Sequence, residues 1–218
     1  MNQNGLDYLP NTSLHLLQSD DMFKLNTDTM LLGNFISMKS DLRVLDIGCN
    51  NGALLLYCSQ FKPSLLVGVD IVEQACELAK QNLKLNNIEN WSIINSDVEE
   101  LKQDQFDVIV SNPPFDDQNA SLVRNSTYHN LARFTDELSL DKLIDQVRIR
   151  LKDNGHFFMI HRATRINDII FLLRKNKMSV DRMEFIYHRR ATFAQKVLIS
   201  AVKRVNSDCK VYHRNIGD

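Results

Sequence analysis

The sequence predicts an α/β fold: a doubly wound domain on a mostly parallel seven-stranded sheet, with an antiparallel strand pair at the C-terminal end. Three observations lead there. Strand-like and helix-like segments alternate from residue 43 to residue 202, and strands separated by helices of roughly ten residues or more form βαβ units, with helices on both faces of a parallel sheet. The first strand of the series runs into a glycine turn that opens a helix. The last two strands are joined only by residues 189–196, too few for a crossover helix, so they are antiparallel neighbours. A chain of 218 residues with 44% hydrophobic and 24% charged residues suits one large globular domain that needs no metal or disulfide to fold.

The elements follow in order. Residues 43–47 are a short apolar run ending at a glycine, and residues 52–61 are apolar and long enough for a helix. Residues 64–69 are a second strand, closed by Asp70. Apolar residues at 71, 72, 75, 78, 79, 83 and 85, with charges between them, have helical spacing. Residues 91–94 read as a strand, and 106–110 as another that stops at Asn112-Pro113-Pro114. A helix over 138–151 ends at Asn154-Gly155; a strand over 156–161 and an amphipathic helix over 165–175 come next. Strands over 183–187 and 197–202 form the closing pair. Ahead of the core, Thr27-Asp28 reads as the N-cap of a helix over 29–38. Residues 113–135 are polar and without periodicity, a length of loop that is often functional in a compact domain.

Composition narrows the class. The longest apolar runs, such as residues 53–57, fall far short of the ~20 residues of a membrane-spanning helix. Residues 1–10 lack a basic start and an apolar stretch, so no secretory leader is expected. Cys49, Cys58, Cys76 and Cys209 show no CxxC spacing and no histidine at zinc-finger distance, so they read as reduced thiols of a cytoplasmic protein, and no metal is expected. The net charge of −1 conceals a split. Residues 1–120 hold 7 Lys+Arg against 17 Asp+Glu, a balance of −10, and residues 121–218 hold 19 against 10, a balance of +9. A basic second part is a surface that can meet phosphates.

Four short motifs carry the chemistry. Val44-Leu45-Asp46-Ile47-Gly48-Cys49-Asn50-Asn51-Gly52 is strand, glycine turn and helix start. Open α/β sheets bind ligands at such strand ends, and a glycine lets a ligand approach the backbone. The GxxxG spacing is not the GxGxxG of dinucleotide folds. Asp70 closes the second strand, where a carboxylate can accept from both hydroxyls of a ribose. Asp97, in Asn95-Ser96-Asp97, can accept from an exocyclic amine or cap the turn that follows. Most specific is Ser111-Asn112-Pro113-Pro114-Phe115. The two prolines stiffen the turn and aim Asn112 away from the strand end. The Asn112 side-chain oxygen and the adjacent carbonyls can hold both hydrogens of a planar –NH2 group. Holding them draws the nitrogen toward tetrahedral geometry and localises its lone pair. Phe115 offers a face on which a flat base can stack.

In this order and spacing, VLDIGCNNG at 44–52, VGVD at 67–70, NSD at 95–97 and SNPPF at 111–115 resemble the class I methyltransferases that use S-adenosylmethionine. The resemblance covers about residues 40–205 and implies a Rossmann-like fold. It implies cofactor contacts from Lys24, Thr27, Asp28, Asp46, Gly48, Cys49, Asn50, Gly52, Asp70, Ile71, Asp97, Val98 and Asn112, with Asp70 on the ribose and Asp97 on the adenine. The catalytic set is Asn112, Pro113, Pro114 and Phe115, the variant that marks methylation of an amine: adenine N6, guanine N2 or glutamine N5. Cys49-Asn50-Asn51 departs from the small residues commoner there. Phe23-Lys24-Leu25-Asn26-Thr27-Asp28-Thr29-Met30-Leu31-Leu32-Gly33 is similar to the N-terminal motif of the bacterial tRNA(valine) adenine-N6 methyltransferases. That family also carries a stretch like Asn130-Leu131-Ala132-Arg133-Phe134.

The expected organisation is therefore an N-terminal segment over the cofactor site (1–40), a methyltransferase domain (41–205) and a frayed tail (206–218). The expected partner is tRNA, bound by Arg133, Arg162, Arg165, Arg189, Arg190 and Lys196, with a monomer as the working state and no membrane contact. Guanine N2 in ribosomal RNA and glutamine N5 in a release factor stay open as acceptors. A nucleotide-dependent oxidoreductase is disfavoured by the missing GxGxxG, and a non-catalytic RNA-binding module by the intact NPPF.

Overall fold

The computed structural model describes residues 5–19, 24–102, 105–114 and 139–217. The expectations for Phe115 and Arg133 lie outside these residues. A hairpin of β1 (Leu6–Tyr8) and β2 (His15–Leu17) precedes α1 (Thr27–Phe35). The core then runs β3 (Arg43–Ile47), α2 (Ala53–Ser59), β4 (Leu65–Asp70), α3 (Glu73–Leu85), β5 (Trp91–Asn95) and β6 (Phe106–Ser111). It continues with α4 (Leu140–Arg150), β7 (Leu151–Arg162), α5 (Ile166–Lys175), β8 (Ser179–His188), β9 (Lys196–Val202) and β10 (Lys210–Ile216). Short 3-10 turns lie at Val98–Glu100 and Ala163–Arg165.

The main sheet has the order β10-β8-β9-β7-β6-β3-β4-β5. β9 runs antiparallel to both β7 and β8, and the other pairs are parallel. The doubly wound, mostly parallel architecture and the antiparallel C-terminal strands are as the sequence predicts. The strand count is not: among the described residues the sheet has eight strands, and the eighth is β10, in the segment expected to fray. Six of its seven residues are exposed, so it has no buried face and leaves no alternation to read. What holds it is a parallel ladder along β8, from Lys210 beside Arg182 to Ile216 beside His188, and a bond from Arg214 Nε to Glu184 Oε1 at 2.6 Å.

Strand alternation divides the core into two clusters. In β3, Val44 packs with Leu31, Leu32, Leu54 and Leu55 of α1 and α2, while Leu45 and Ile47 join Leu143, Ile144, Val147 and Ile169 of α4 and α5. Each fully buried aliphatic side chain contributes roughly 1.5–3 kcal/mol, so both faces must stay covered. Gly33 brings α1 close to α2, since a Cβ there would lie 2.2 Å from the Tyr57 ring.

The hairpin docks on α3 through two asparagines one helical turn apart. Asn82 accepts from Leu17 N at 2.6 Å and donates to Leu17 O at 3.0 Å; Asn86 does the same to His15 N and His15 O, both at 2.8 Å. Asn82 also donates to Asn51 O, in the glycine turn, at 2.9 Å. Among the described residues no helix is long and apolar enough to cross a membrane.

Candidate active site

β3 lies between β4 and β6, so chain order reverses there, and a doubly wound sheet opens its binding crevice at the carboxyl ends of those strands. Register aligns the candidate residues along this edge. Ile47 pairs with Val69, Asp70 with Asn95, and Asp46 with Val110. Gly48, Asp70, Asp97 and Asn112 therefore all sit at or just beyond the same edge. Ser111 is buried and donates from Oγ to Ile47 O at 2.8 Å, which ties the end of β6 to the end of β3.

Gly48 has φ 75°, and a Cβ built on it meets nothing within 4 Å. The backbone there is bare and faces open space, as a ligand cradle requires. Gly52, at φ 80°, is different: its Cβ would lie 3.2 Å from the Ala79 Cβ. Its missing Cβ lets α2 pack against α3. Asp70 accepts from Asn50 N at 2.9 Å through Oδ2 and from Val72 N at 3.0 Å through Oδ1. Burial pushes its carboxyl up, and the amides of Val72, Asn50 and Ile71 pull it back. Each oxygen keeps lone-pair capacity for a further donor. Ile71 beside it is 48% exposed, an apolar surface at the rim.

Other expected contacts turn inward. The Cys49 side chain is buried against Gly68, and Val98 sits in the core with Val67 and Val69, so only their backbones can face a ligand. Asp46 is fully buried, and among the described residues neither carboxyl oxygen has a hydrogen-bond partner. Burial, then the charge of Asp70, pushes its carboxyl well above the ordinary range. Asp97 caps the turn after β5, with Oδ1 accepting from Glu99 N at 2.8 Å. Arg150 steadies that turn from α4 by donating to Val98 O and Leu101 O.

Asn112 stands half-buried at the end of β6 and donates from Nδ2 to Thr29 Oγ1, on the first turn of α1, at 3.0 Å. The cap of α1 is Asn26, whose Oδ1 accepts from Thr29 N at 2.9 Å. This corrects the sequence reading of Thr27-Asp28 as the cap. Asp28 instead pairs with Lys196 of β9 at 2.7 Å, and Thr27 is exposed. At its other end α1 meets Arg182 of β8, whose guanidinium lies 3.9 Å over the Phe35 ring and donates to Phe35 O.

Comparison with known proteins agrees with this geometry. The family model described as a methyltransferase small domain matches residues 19–176. The chain belongs to this methyltransferase family. It is 31% identical to a tRNA1(Val) (adenine(37)-N6)-methyltransferase of Parabacteroides distasonis, over 73% of this chain and 68% of that protein. It is 42% identical to a putative protein N5-glutamine methyltransferase of Methanocaldococcus jannaschii, over 39% of this chain and 43% of that one. Among solved structures, a 16S rRNA N2 G1207 methyltransferase of T. thermophilus, in complex with AdoMet and guanosine, superposes with a TM-score of 0.62 at 20% identity. That match covers 88% of this chain and 47% of the other. The cofactor of the methyltransferase is S-adenosylmethionine, and the bare Gly48 backbone beside the Asp70 carboxylate fits it.

The basic residues of the methyltransferase fall into two groups. Arg189 and Arg190 are exposed just past β8, and with His188, Ile216 and Gly217 they line a shallow recess of about 610 Å³. β8 is parallel in sense to β6, so this recess lies on the same edge as Asn112. Lys196 and Arg165 are engaged in ion pairs. Lys196 is only 23% exposed and bound to Asp28, and Arg165 pairs with Asp168 at 2.6 Å. Arg162 is half-buried, its amide donating to His161 Nδ1 at 2.9 Å. His161 is buried, and desolvation, aided by Arg165, lowers its pKa to about 4. Sequence reasoning missed Asn26, Thr29 and Ser111. A run of four cap-forming residues, Asn26 to Thr29, marks the place without saying which one caps.

Proposed function

We propose that the chain transfers a methyl group to the N6 amine of an adenine in tRNA, with tRNA1(Val) the first candidate on the likeness to the Parabacteroides protein. One observation carries the reading: Asn112-Pro113-Pro114 ends the strand beside the bare Gly48, at the switch point of the sheet. When bound, S-adenosylmethionine supplies a methyl on a positively charged sulfur that departs as a neutral thioether. The residues that would hold it are Asp70 on the ribose hydroxyls, Asp97 on the adenine and the Gly48 backbone along the methionine part, with exposed Ile71 at the rim. Asn112 Oδ1 and the Pro113 carbonyl accept the two amine hydrogens of the target base. That pulls the lone pair out of conjugation and aims it along the line of attack. The nitrogen gains a bond to carbon as the carbon–sulfur bond breaks, and then loses one proton to solvent. Much of the acceleration is the positioning of two reactants. Arg189 and Arg190 bind backbone phosphates on the same edge, a contact that weakens steeply with salt.

The same carbonyl pair would hold a guanine N2 or a glutamine amide, and the glutamine methyltransferase likeness favours the latter as the second reading. The basic recess favours RNA. Unmodified total tRNA is incubated with labelled cofactor and digested to nucleosides. N6-methyladenosine is the expected product. Ribosomal RNA and a release factor are incubated in parallel, and label that enters only rRNA guanine or a protein glutamine, with none in tRNA, would replace the proposed acceptor.

A further inference from the structure

A chain of hydrogen bonds runs in one direction from Asn112, just past β6, through Thr29 to Asn26 at the cap of α1. The fixed point is the backbone N–H of Thr29, which donates to Asn26 Oδ1 at 2.9 Å. An amide N–H can only donate, so the Asn26 side chain must present its oxygen there and not its nitrogen. The same Asn26 Oδ1 lies 3.1 Å from Thr29 Oγ1. Neither oxygen of that pair can supply a proton except the hydroxyl, which therefore points its only hydrogen at Asn26. Thr29 Oγ1 now has nothing left to donate. It meets Asn112 at 3.0 Å as an acceptor, and Asn112 must turn its –NH2 toward α1. A carboxamide is planar, with nitrogen and oxygen on opposite sides. Its Oδ1 therefore faces away from α1, and among the described residues nothing donates to it.

We propose that Thr29, oriented by Asn26, is a positioning residue that sets the polarity of the Asn112 carboxamide, so that the oxygen and not the –NH2 meets the substrate amine. The inference rests on the reading that Asn112 accepts from that amine. The two orientations of a carboxamide have nearly the same shape, so packing alone discriminates poorly between them. A flipped Asn112 would set its –NH2 against the amine and reverse the interaction that catalysis needs. The platform is fixed in place by the Asp28–Lys196 pair at 2.7 Å and by Arg182 stacked on Phe35, so Thr29 holds its position without help from the substrate.

The test uses the full-length protein, tRNA as substrate and single-turnover rates at saturating tRNA and cofactor, with calorimetric S-adenosylmethionine affinity alongside. Thr29→Val removes the hydroxyl at nearly constant shape and lowers the rate about tenfold, with cofactor affinity within about twofold of wild type. Thr29→Ser, which keeps the hydroxyl, returns the rate to within about threefold. The decisive arm places Thr29→Val on an Asn112→Asp background. A carboxylate has two equivalent acceptor oxygens and no polarity to lose, so there the Val substitution costs less than about twofold. An equal loss in both backgrounds means that Thr29 is merely structural and overturns the proposal, as does a Thr29→Val rate within about threefold of wild type. If Asn112→Asp has no measurable rate, failure of Thr29→Ser to recover activity overturns it instead. Asn112→Ala separates the two layers: full activity in that variant sinks the role of Asn112 itself, whereas its loss beside an active Thr29→Val sinks only the polarity.

Discussion

Asp70 is held by amides 2 and 20 residues away, whereas Asn112 is held by a hydroxyl 83 residues away. The contrast extends to their surroundings. The cofactor side of the crevice is closed by bonds inside one stretch of chain, from Gly48 to Val69, from Asn50 and Val72 to Asp70, and from Glu99 to Asp97. The acceptor side is closed by α1 reaching across the sheet, with Asp28 and Lys196 separated by 168 residues. A site made of local backbone bonds forms as soon as its own βαβ unit does. A site made of distant side chains forms only when α1 is seated. Damage to α1 should therefore disable methyl transfer while leaving cofactor binding in place.

Substitutions on each side can break that division, and the largest effect is expected at Asn112. Asn112→Ala should lower the single-turnover rate by about 10²–10³-fold, the usual loss when one preorganised polar group acting in the transition state is removed. Cofactor affinity should hold, and saturating tRNA should not restore the rate. A rate within about threefold of wild type would show that the acceptor side needs no Asn112.

Next in size is His161, on the acceptor side. Its pKa is lowered to about 4, and its Nδ1 accepts from the Arg162 amide. Unfolding frees it to take a proton near its ordinary value of about 6.5. Between these values the unfolded chain binds the proton and the folded chain does not, so stability falls as pH drops from about 6.5 toward 4, by up to about 3 kcal/mol. His161→Gln should flatten that limb in urea melts run from pH 7 to pH 4. Parallel curves for the two proteins would remove His161 as the cause.

Smallest is Asp70→Ala, which should weaken S-adenosylmethionine binding by about 1–3 kcal/mol, the range for hydrogen bonds to a charged acceptor. At saturating cofactor the methyl-transfer rate should stay near wild type. If calorimetry finds affinity intact in the folded variant, the ribose is held elsewhere.

The same division explains which features are legible in the amino-acid sequence and which are not. Asp70 and Gly48 are legible because their partners lie within the motif that displays them. The place of Asn112 is legible from its prolines, but its bond to Thr29 is not, since no local pattern joins residues 83 apart. Lys196 reads as a phosphate ligand because its charge is visible in sequence and its counter-ion Asp28 is remote. That Gly52 also makes room for Ala79 is not legible, since the residue it admits lies on another element. β10 escapes because a strand exposed along nearly its whole length carries none of the alternation by which strands are found.

The asparagine pair that seats the hairpin has a consequence for register. Four residues of helix rise about 6.0 Å, and two residues of strand span about 6.6 Å. Asn82 and Asn86 can therefore match His15 and Leu17 with little error, but a third tooth at the same spacing would fall more than ~1 Å out of step. The fit works like a vernier with a single coincidence. A slip of one residue turns the wrong backbone groups toward α3. A slip of two strands one asparagine, and Asn82 is fully buried, where an unmatched amide costs about 1–3 kcal/mol. Because Asn82 also holds the Asn51 carbonyl, the glycine turn is referenced to the same notch, and the hairpin seats in one register or not at all.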